Sequence, residues 1–181
     1  YWDGDRRFGY GGYKYIPGRL TKVANKIIKK FKLNNNSKVL DLGCGKGFLL
    51  FEIKKILPNI RIVGIDISKY GIKNSPKTIK KYLKVHDARK PLPYKDRYFD
   101  LAISFGLFHN FEIFELEKSI IEFSRVSKKS YLMVESYKND TELFNLQCWA
   151  LTCNSFFSTT EWKWILKKFG YKRYFEFIFF K

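Results

Sequence analysis

The stretch VLDLGCGKG, residues 39–47, decides the fold class of this chain. A short apolar run that ends in glycine is typical of a buried strand. The glycines at 43, 45 and 47 allow a sharp turn and let a ligand approach the backbone closely. The following FLLFEIKKIL has the apolar pattern of a helix. The stretch therefore predicts a strand, a glycine loop and a helix in succession.

Further strands and helices alternate along the rest of the chain. The predicted strands are IRIVGID, LKVHD, FDLAIS, SYLMVES and YKRYFEFIFF. Five further helices are predicted. The first begins after Arg19, the second is broken near Pro76, and the third spans residues 113–126. The fourth covers DTELFNLQCWALT, and the fifth begins at a Ser158-x-x-Glu161 capping box. The alternation predicts a single-domain α/β, Rossmann-like fold: a doubly wound, mostly parallel sheet with helices on both faces. Ligands of such sheets bind at the carboxyl ends of the strands.

Composition limits the classes of partner. The formal charge is +18, which admits nucleic acid, an anionic membrane surface or anionic small substrates. Three unevenly spaced cysteines and two histidines argue against a zinc site or a disulfide framework, so we expect no metal and a cytoplasmic location. No apolar run approaches 18 residues, and we expect no membrane span. Because the sequence starts at Tyr1 and its only methionine is Met133, we expect residues upstream.

Two acids follow the glycine loop at informative positions. Asp66 lies 19 residues beyond Gly47, at the end of a predicted strand, where a carboxylate can accept both hydroxyls of a ribose. Asp87 ends the next strand and is placed to meet an adenine edge. The loop lacks the spacing of a phosphate-binding P-loop, and Phe48 occupies the last glycine position of the dinucleotide pattern.

From Lys38 onward the chain resembles the class I S-adenosylmethionine-dependent methyltransferases. The resemblance rests on VLDLGCGKG, on the acid Asp66, on the pair Asp87–Ala88 and on FDLAISFGLFHN. It implies S-adenosyl-L-methionine as cofactor and S-adenosyl-L-homocysteine as product. The implied cofactor-binding residues are Asp41, Gly43, Cys44, Gly45, Asp66, Ile67, Asp87, Ala88 and Ser104. The carboxyl end departs from the family pattern, because one strand stands where a hairpin is expected.

The whole chain also resembles a narrower set of bacterial methyltransferases of unassigned substrate, often met beside surface-polysaccharide genes. The resemblance includes YWDGDRRFGYGGYKY at the amino end. We expect residues 1–18 to form an arm or lid and residues 19–181 the methyltransferase domain. Arginine forks suit a phosphate or carboxylate, and tyrosines offer apolar faces with hydroxyl tips. The predicted substrate-binding residues are Arg6, Arg7, Tyr10, Tyr13, Tyr15 and Arg19. The alternative is a terminal arm whose rings only cover the sheet.

His109 is the predicted general base, because the segment after the fourth strand faces the methyl group in this family and imidazole titrates near neutrality. Glu135 and Tyr137, after the fifth strand, are secondary catalytic candidates. Each of the three could instead be structural.

The predicted function is methylation, at oxygen or nitrogen, of a small anionic acceptor such as a sugar, a phosphorylated metabolite or a glycan precursor. One alternative is an RNA or DNA methyltransferase, which the charge favours. Against it, the fourth strand ends in SFGLFHN and lacks the [DN]-P-P-[YF] sequence of many enzymes that methylate base amines. Another alternative is a catalytically silent cofactor-binding subunit. The sequence leaves the acceptor and the oligomeric state open.

Overall fold

A six-stranded sheet organises the residues that the structure, a computed structural model, describes, which are 3–4 and 14–181. Its strands are β1 (Lys38–Leu42), β2 (Arg61–Asp66), β3 (Leu83–Val85), β4 (Phe99–Phe105), β5 (Ser127–Glu135) and β6 (Tyr174–Ile178). Their order is β3-β2-β1-β4-β5-β6, and every neighbouring pair is parallel. The predicted fold class is confirmed, and this sheet is parallel throughout.

The helices are α1 (Thr21–Phe31), α2 (Phe48–Ile56), α3 (Lys69–Lys73), α4 (Ile113–Arg125), α5 (Asp140–Trp149) and α6 (Thr159–Lys168). Two 3-10 turns, Lys80–Tyr82 and Phe108–Asn110, follow α3 and β4. The predicted capping box is confirmed, since Ser158 accepts from the Glu161 amide and Glu161 accepts from the Ser158 amide. The predicted weak helix around Pro76 is reduced to α3, because a residue that precedes proline disfavours helical angles.

Helices cover both faces of the sheet. On one face α1 and α2 bury Ala24 and Ile53 against β1, β2 and β4. On the other face α4 and α6 bury Phe123 and Trp162 against β4 and β5. Strand order reverses between β1 and β4, so their carboxyl ends border the crevice where α/β sheets of this kind hold ligands.

The last strand, β6, lies directly beside β5, in register from the Tyr131–Tyr174 pair to the Glu135–Ile178 pair. A single parallel strand therefore stands where the family resemblance implies a hairpin. Within the described part of the chain, no helix is long and apolar enough to cross a membrane.

Candidate active site

The glycine loop turns sharply at the carboxyl end of β1. Gly43, at a φ of 80°, and Gly47, at 72°, lie in the left-handed region that favours glycine. A Cβ on Gly43 would lie 2.8 Å from the Cβ of Leu107, and one on Gly47 would lie 2.9 Å from a methyl of Leu83. The loop is therefore packed between the segment after β4 and the start of β3, and it has no room for side chains at these positions.

Backbone and carboxylate hydrogen bonds hold this loop. The amides of Gly43 and Cys44 donate to the carbonyl of Ile65, at 2.8 and 3.0 Å. The Gly45 amide donates to Asp66 Oδ2 at 2.7 Å, and the Ser68 amide donates to Asp66 Oδ1 at 2.8 Å. Asp66 thus joins the glycine loop to the start of α3. Each of its oxygens has a further lone pair that can accept a ribose hydroxyl.

Asp41 lies beneath the loop and is 5 % exposed. Burial, with a smaller contribution from Asp66, raises the pKa of Asp41 to about 8. Burial also raises the pKa of Asp66, although the two amides that donate to it oppose the shift. Two neighbouring carboxyls, one buried and one half-buried, favour a cationic ligand, since a positive charge offsets their repulsion. S-adenosylmethionine carries an ammonium group and a sulfonium, and these residues fit it.

Lys46 is a loop residue whose role the sequence analysis missed. It is 4 % exposed, and its Nζ lies 2.5 Å from Asp3 Oδ1. The other oxygen of Asp3 accepts from the hydroxyl of Tyr70. Asp3 therefore ties the amino-terminal residues to the glycine loop and to α3. A lysine among the three glycines was the only signal of this contact in the sequence.

The remaining predicted cofactor residues differ in their surroundings. Asp87 receives two hydrogen bonds from the Arg89 side chain, at 2.9 and 2.8 Å, and this pairing lowers the pKa of Asp87. Ser104 is buried and donates to the carbonyl of Leu42 at 2.8 Å, which joins the ends of β1 and β4. Cys44 and Ala88 are buried, and Ile67 is exposed. Burial raises the pKa of the Cys44 thiol, which favours the neutral thiol over the reactive thiolate.

The three predicted catalytic residues lie at the carboxyl ends of β4 and β5. His109 Nδ1 contacts Glu135 Oε2, and both side chains are buried. The His109 carbonyl accepts from the amides of Asn154 and Ser155, each at 3.0 Å. Tyr137 is half-buried, and its backbone bridges to residue 158 at the start of α6. The structure thus brings His109 and Glu135 together and leaves Tyr137 beside α6.

Two of the six predicted substrate residues fall on described positions. The Tyr15 hydroxyl donates to Glu52 Oε1 at 2.5 Å, and its ring lies edge-on to Phe48 and Phe51. Arg19 is exposed just before α1. The other four, Arg6, Arg7, Tyr10 and Tyr13, lie outside the described residues.

Residues 33–170 match the family model described as a methyltransferase domain. The chain is 31 % identical over 91 residues to the U6 snRNA methylphosphate capping enzyme Amus of Drosophila melanogaster, which is 45 % of this chain and 29 % of that protein. It is 30 % identical over 118 residues to the demethylmenaquinone methyltransferase of Thermotoga maritima, which is 65 % of this chain and 50 % of that protein. The chain thus spans half or less of the length of these curated relatives.

Solved structures share the fold. The YcgJ protein of Bacillus subtilis superposes with a TM-score of 0.65 at 20 % identity, over 82 % of this chain and 67 % of that one. A SAM-dependent methyltransferase of Aquifex aeolicus superposes with a TM-score of 0.58 at 22 % identity, over 87 % and 89 %. The residues that match the family model include the whole glycine loop, Asp41 and Asp66. The chain belongs to the methyltransferase domain family, and its residues fit the predicted cofactor, S-adenosylmethionine.

Proposed function

We propose that this protein transfers the methyl group of S-adenosylmethionine to an oxygen or nitrogen atom of a small anionic acceptor. The observation that carries the proposal is the arrangement of Asp41 and Asp66 around the glycine loop. It combines a buried Asp41 and a half-buried Asp66, which together suit a cation, with a loop that has no room for side chains at Gly43 and Gly47.

Methyl transfer is an in-line displacement at the sulfonium carbon, so the protein mainly positions the two reactants and excludes water. Asp66 holds the ribose, and Asp41 faces the amino-acid end of the cofactor. Asp87 meets the adenine while Arg89 remains bound to it, which fixes the orientation of that carboxylate.

The His109 side chain is fully buried. We therefore propose it as the base only if a rearrangement exposes its ring to the acceptor. Its contact with Glu135 supports a second role, which is to hold the ends of β4 and β5 at a fixed separation. Tyr137 remains a predicted catalytic residue. A His109→Gln variant distinguishes the two roles of His109, because loss of a base changes the pH profile of turnover, whereas loss of a structural contact lowers the melting temperature.

The acceptor class rests on charge. A net charge of +18 and the arginines at 6, 7 and 19 suit an anion. The two curated relatives are named for different acceptors, so their names do not choose one.

We propose that residues 1–18 form a lid over the acceptor. The Asp3–Lys46 contact supports this proposal, because it brings the amino end of the chain to the glycine loop. The cytoplasmic location stays a prediction.

The test is transfer of labelled methyl from S-adenosylmethionine into a host extract separated into small-molecule, glycan, RNA and protein fractions. We expect label in the small-molecule or glycan fraction, and none with Asp66→Ala. Asp96→Ala is the matched control, since this exposed acid lies on the loop before β4. Label in RNA would refute the small-acceptor proposal. Normal cofactor binding without any transfer would point to a silent subunit instead.

A further inference from the structure

A groove of about 680 Å³ lies between α1 and the β4–β5–β6 part of the sheet. This volume is typical of small-molecule sites. Its floor and inner wall are mostly apolar, and three lysines of α1 line its rim. The lining residues are Leu20, Val23, Ile27, Phe105, Tyr131, Met133, Tyr174, Glu176 and Ile178, with Lys26, Lys29 and Lys30.

The groove reaches the carboxyl edge of the sheet, where the reaction takes place in the proposed function. Phe105 is the last residue of β4, and Ile178 is the last residue of β6. Two residues beyond Phe105, Leu107 packs on Gly43 of the glycine loop. A molecule that lies along this groove therefore has one end beside Leu107 and the glycine loop.

Among the described residues that line the groove, Glu176 is the one acid, and its hydrogen-bond donors are lining residues too. Glu176 accepts from the Tyr131 hydroxyl at 2.5 Å and from the Tyr174 hydroxyl. These hydrogen bonds, helped by the charges of Lys30 and Lys26, lower the pKa of Glu176, so it remains a carboxylate. The Lys30 ammonium lies over the Tyr174 ring. Lys26 and Lys29 are exposed on the rim, and together with Lys30 they outnumber the Glu176 carboxylate, so the lining residues carry a net positive charge.

We propose that this groove binds the apolar body of the methyl acceptor and that Lys26 and Lys29 bind its anionic group, which makes the acceptor an amphipathic anion. The inference rests on the proposed function and narrows its substrate class. Three ammonium groups disfavour a cationic occupant. A second copy of the chain would bring a surface of the same positive sign against the rim.

Met133, the only methionine of the sequence, makes the groove directly observable. Protein labelled with ¹³C-methyl methionine gives a groove resonance that Met133→Leu identifies, apart from any initiator methionine. Naphthalene-2-carboxylate is the anionic probe, and naphthalene-2-carboxamide is its neutral counterpart. We expect the acid to shift the Met133 resonance saturably and the amide to bind about tenfold more weakly, since the neutral amide forms no ion pair with either exposed lysine.

Surface variants test the lysines without disturbing the fold. Lys26→Gln with Lys29→Gln should weaken binding of the acid by about five- to tenfold. The matched control, Lys163→Gln with Lys167→Gln, removes the same charge from exposed positions on α6 and should leave binding unchanged. Equal binding of acid and amide, or equal effects of the two double variants, would overturn the anionic assignment. A Met133 resonance that depends on protein concentration without probe would show that a second copy covers the groove.

Inhibition links the groove to the reaction. The acid should inhibit methyl transfer into the extract and leave S-adenosylhomocysteine binding unchanged. If the acid binds without inhibiting, the groove is not the acceptor site. If S-adenosylhomocysteine binds and the acid does not, the groove proposal fails alone. If the acid binds and S-adenosylhomocysteine does not, the proposed function fails instead.

Discussion

Cofactor binding should release a proton from Asp41. In the free protein burial raises the pKa of this acid to about 8, so at pH 6 to 7 it is protonated. A bound ammonium group favours the carboxylate, and the proton must then leave. If only the ionised form binds, the association constant for S-adenosylhomocysteine rises about fiftyfold between pH 6 and pH 8, with about one proton released per complex at pH 6.5.

Isothermal titration calorimetry in two buffers of different ionisation enthalpy counts this proton. The amino group of the ligand also loses its proton at alkaline pH, so the comparison is made against Asp41→Asn, in which that ligand titration is unchanged. The variant should bind more weakly at pH 8 and should lose the steep rise below pH 8. Release of fewer than about 0.3 protons at pH 6.5, or the same pH dependence in both proteins, would refute the reasoning.

Three further outcomes follow from the same geometry. A raised folded-state pKa makes the free protein lose stability as pH rises from about 4 to 8, so Asp41→Asn should raise the melting temperature of the free protein at pH 8 and not at pH 4, as differential scanning fluorimetry would show. Gly43→Ala should destabilise more than Gly18→Ala, because both have a φ of 80° but only Gly43 has Leu107 within 4 Å; equal denaturation midpoints would contradict this. The Glu52→Gln variant should cost about 1 to 2 kcal/mol in urea unfolding at pH 7, since this buried acid accepts two hydroxyls. Burial alone would raise the pKa of Glu52, but these hydrogen bonds outweigh it and lower that pKa. The contribution of Glu52 to folding stability should therefore vanish as pH falls through the folded-state pKa.

Much of the sheet was predictable because its strands are short apolar runs that end in glycine or an acid. The start of β5 was predicted three residues late, at Ser130. Lys128 and Lys129 are exposed at the amino end of that strand, and apolar content gives no signal there. The pairing of Ser127 with Phe99 and of Lys129 with Leu101 on β4 keeps these polar residues in the strand.

The site was predictable in its residue types and not in their partners. Asp66 lies where spacing placed it, yet its bond to the Gly45 amide depends on how the loop turns. The clamp of Arg89 on Asp87 arises from a local turn two residues long, which no periodic pattern reveals. Glu52 resembles a solvent-facing charge of a helix, and its burial is explained by the hydroxyls of Tyr15 and Thr21, which are 37 and 31 residues away in the sequence.

The salt bridge between Asp3 and Lys46 has a practical consequence for handling the protein. Any polypeptide ahead of Asp3, whether the upstream residues that we expect, an affinity tag or a fusion partner, leaves the fold beside the glycine loop. Such an addition would crowd the cofactor entrance and lower apparent affinity for reasons unrelated to the residues under study. A tag after Lys181 follows β6, at the far edge of the sheet from β3. Binding constants measured with the two tag positions would show how much access to the cofactor loop the amino end controls.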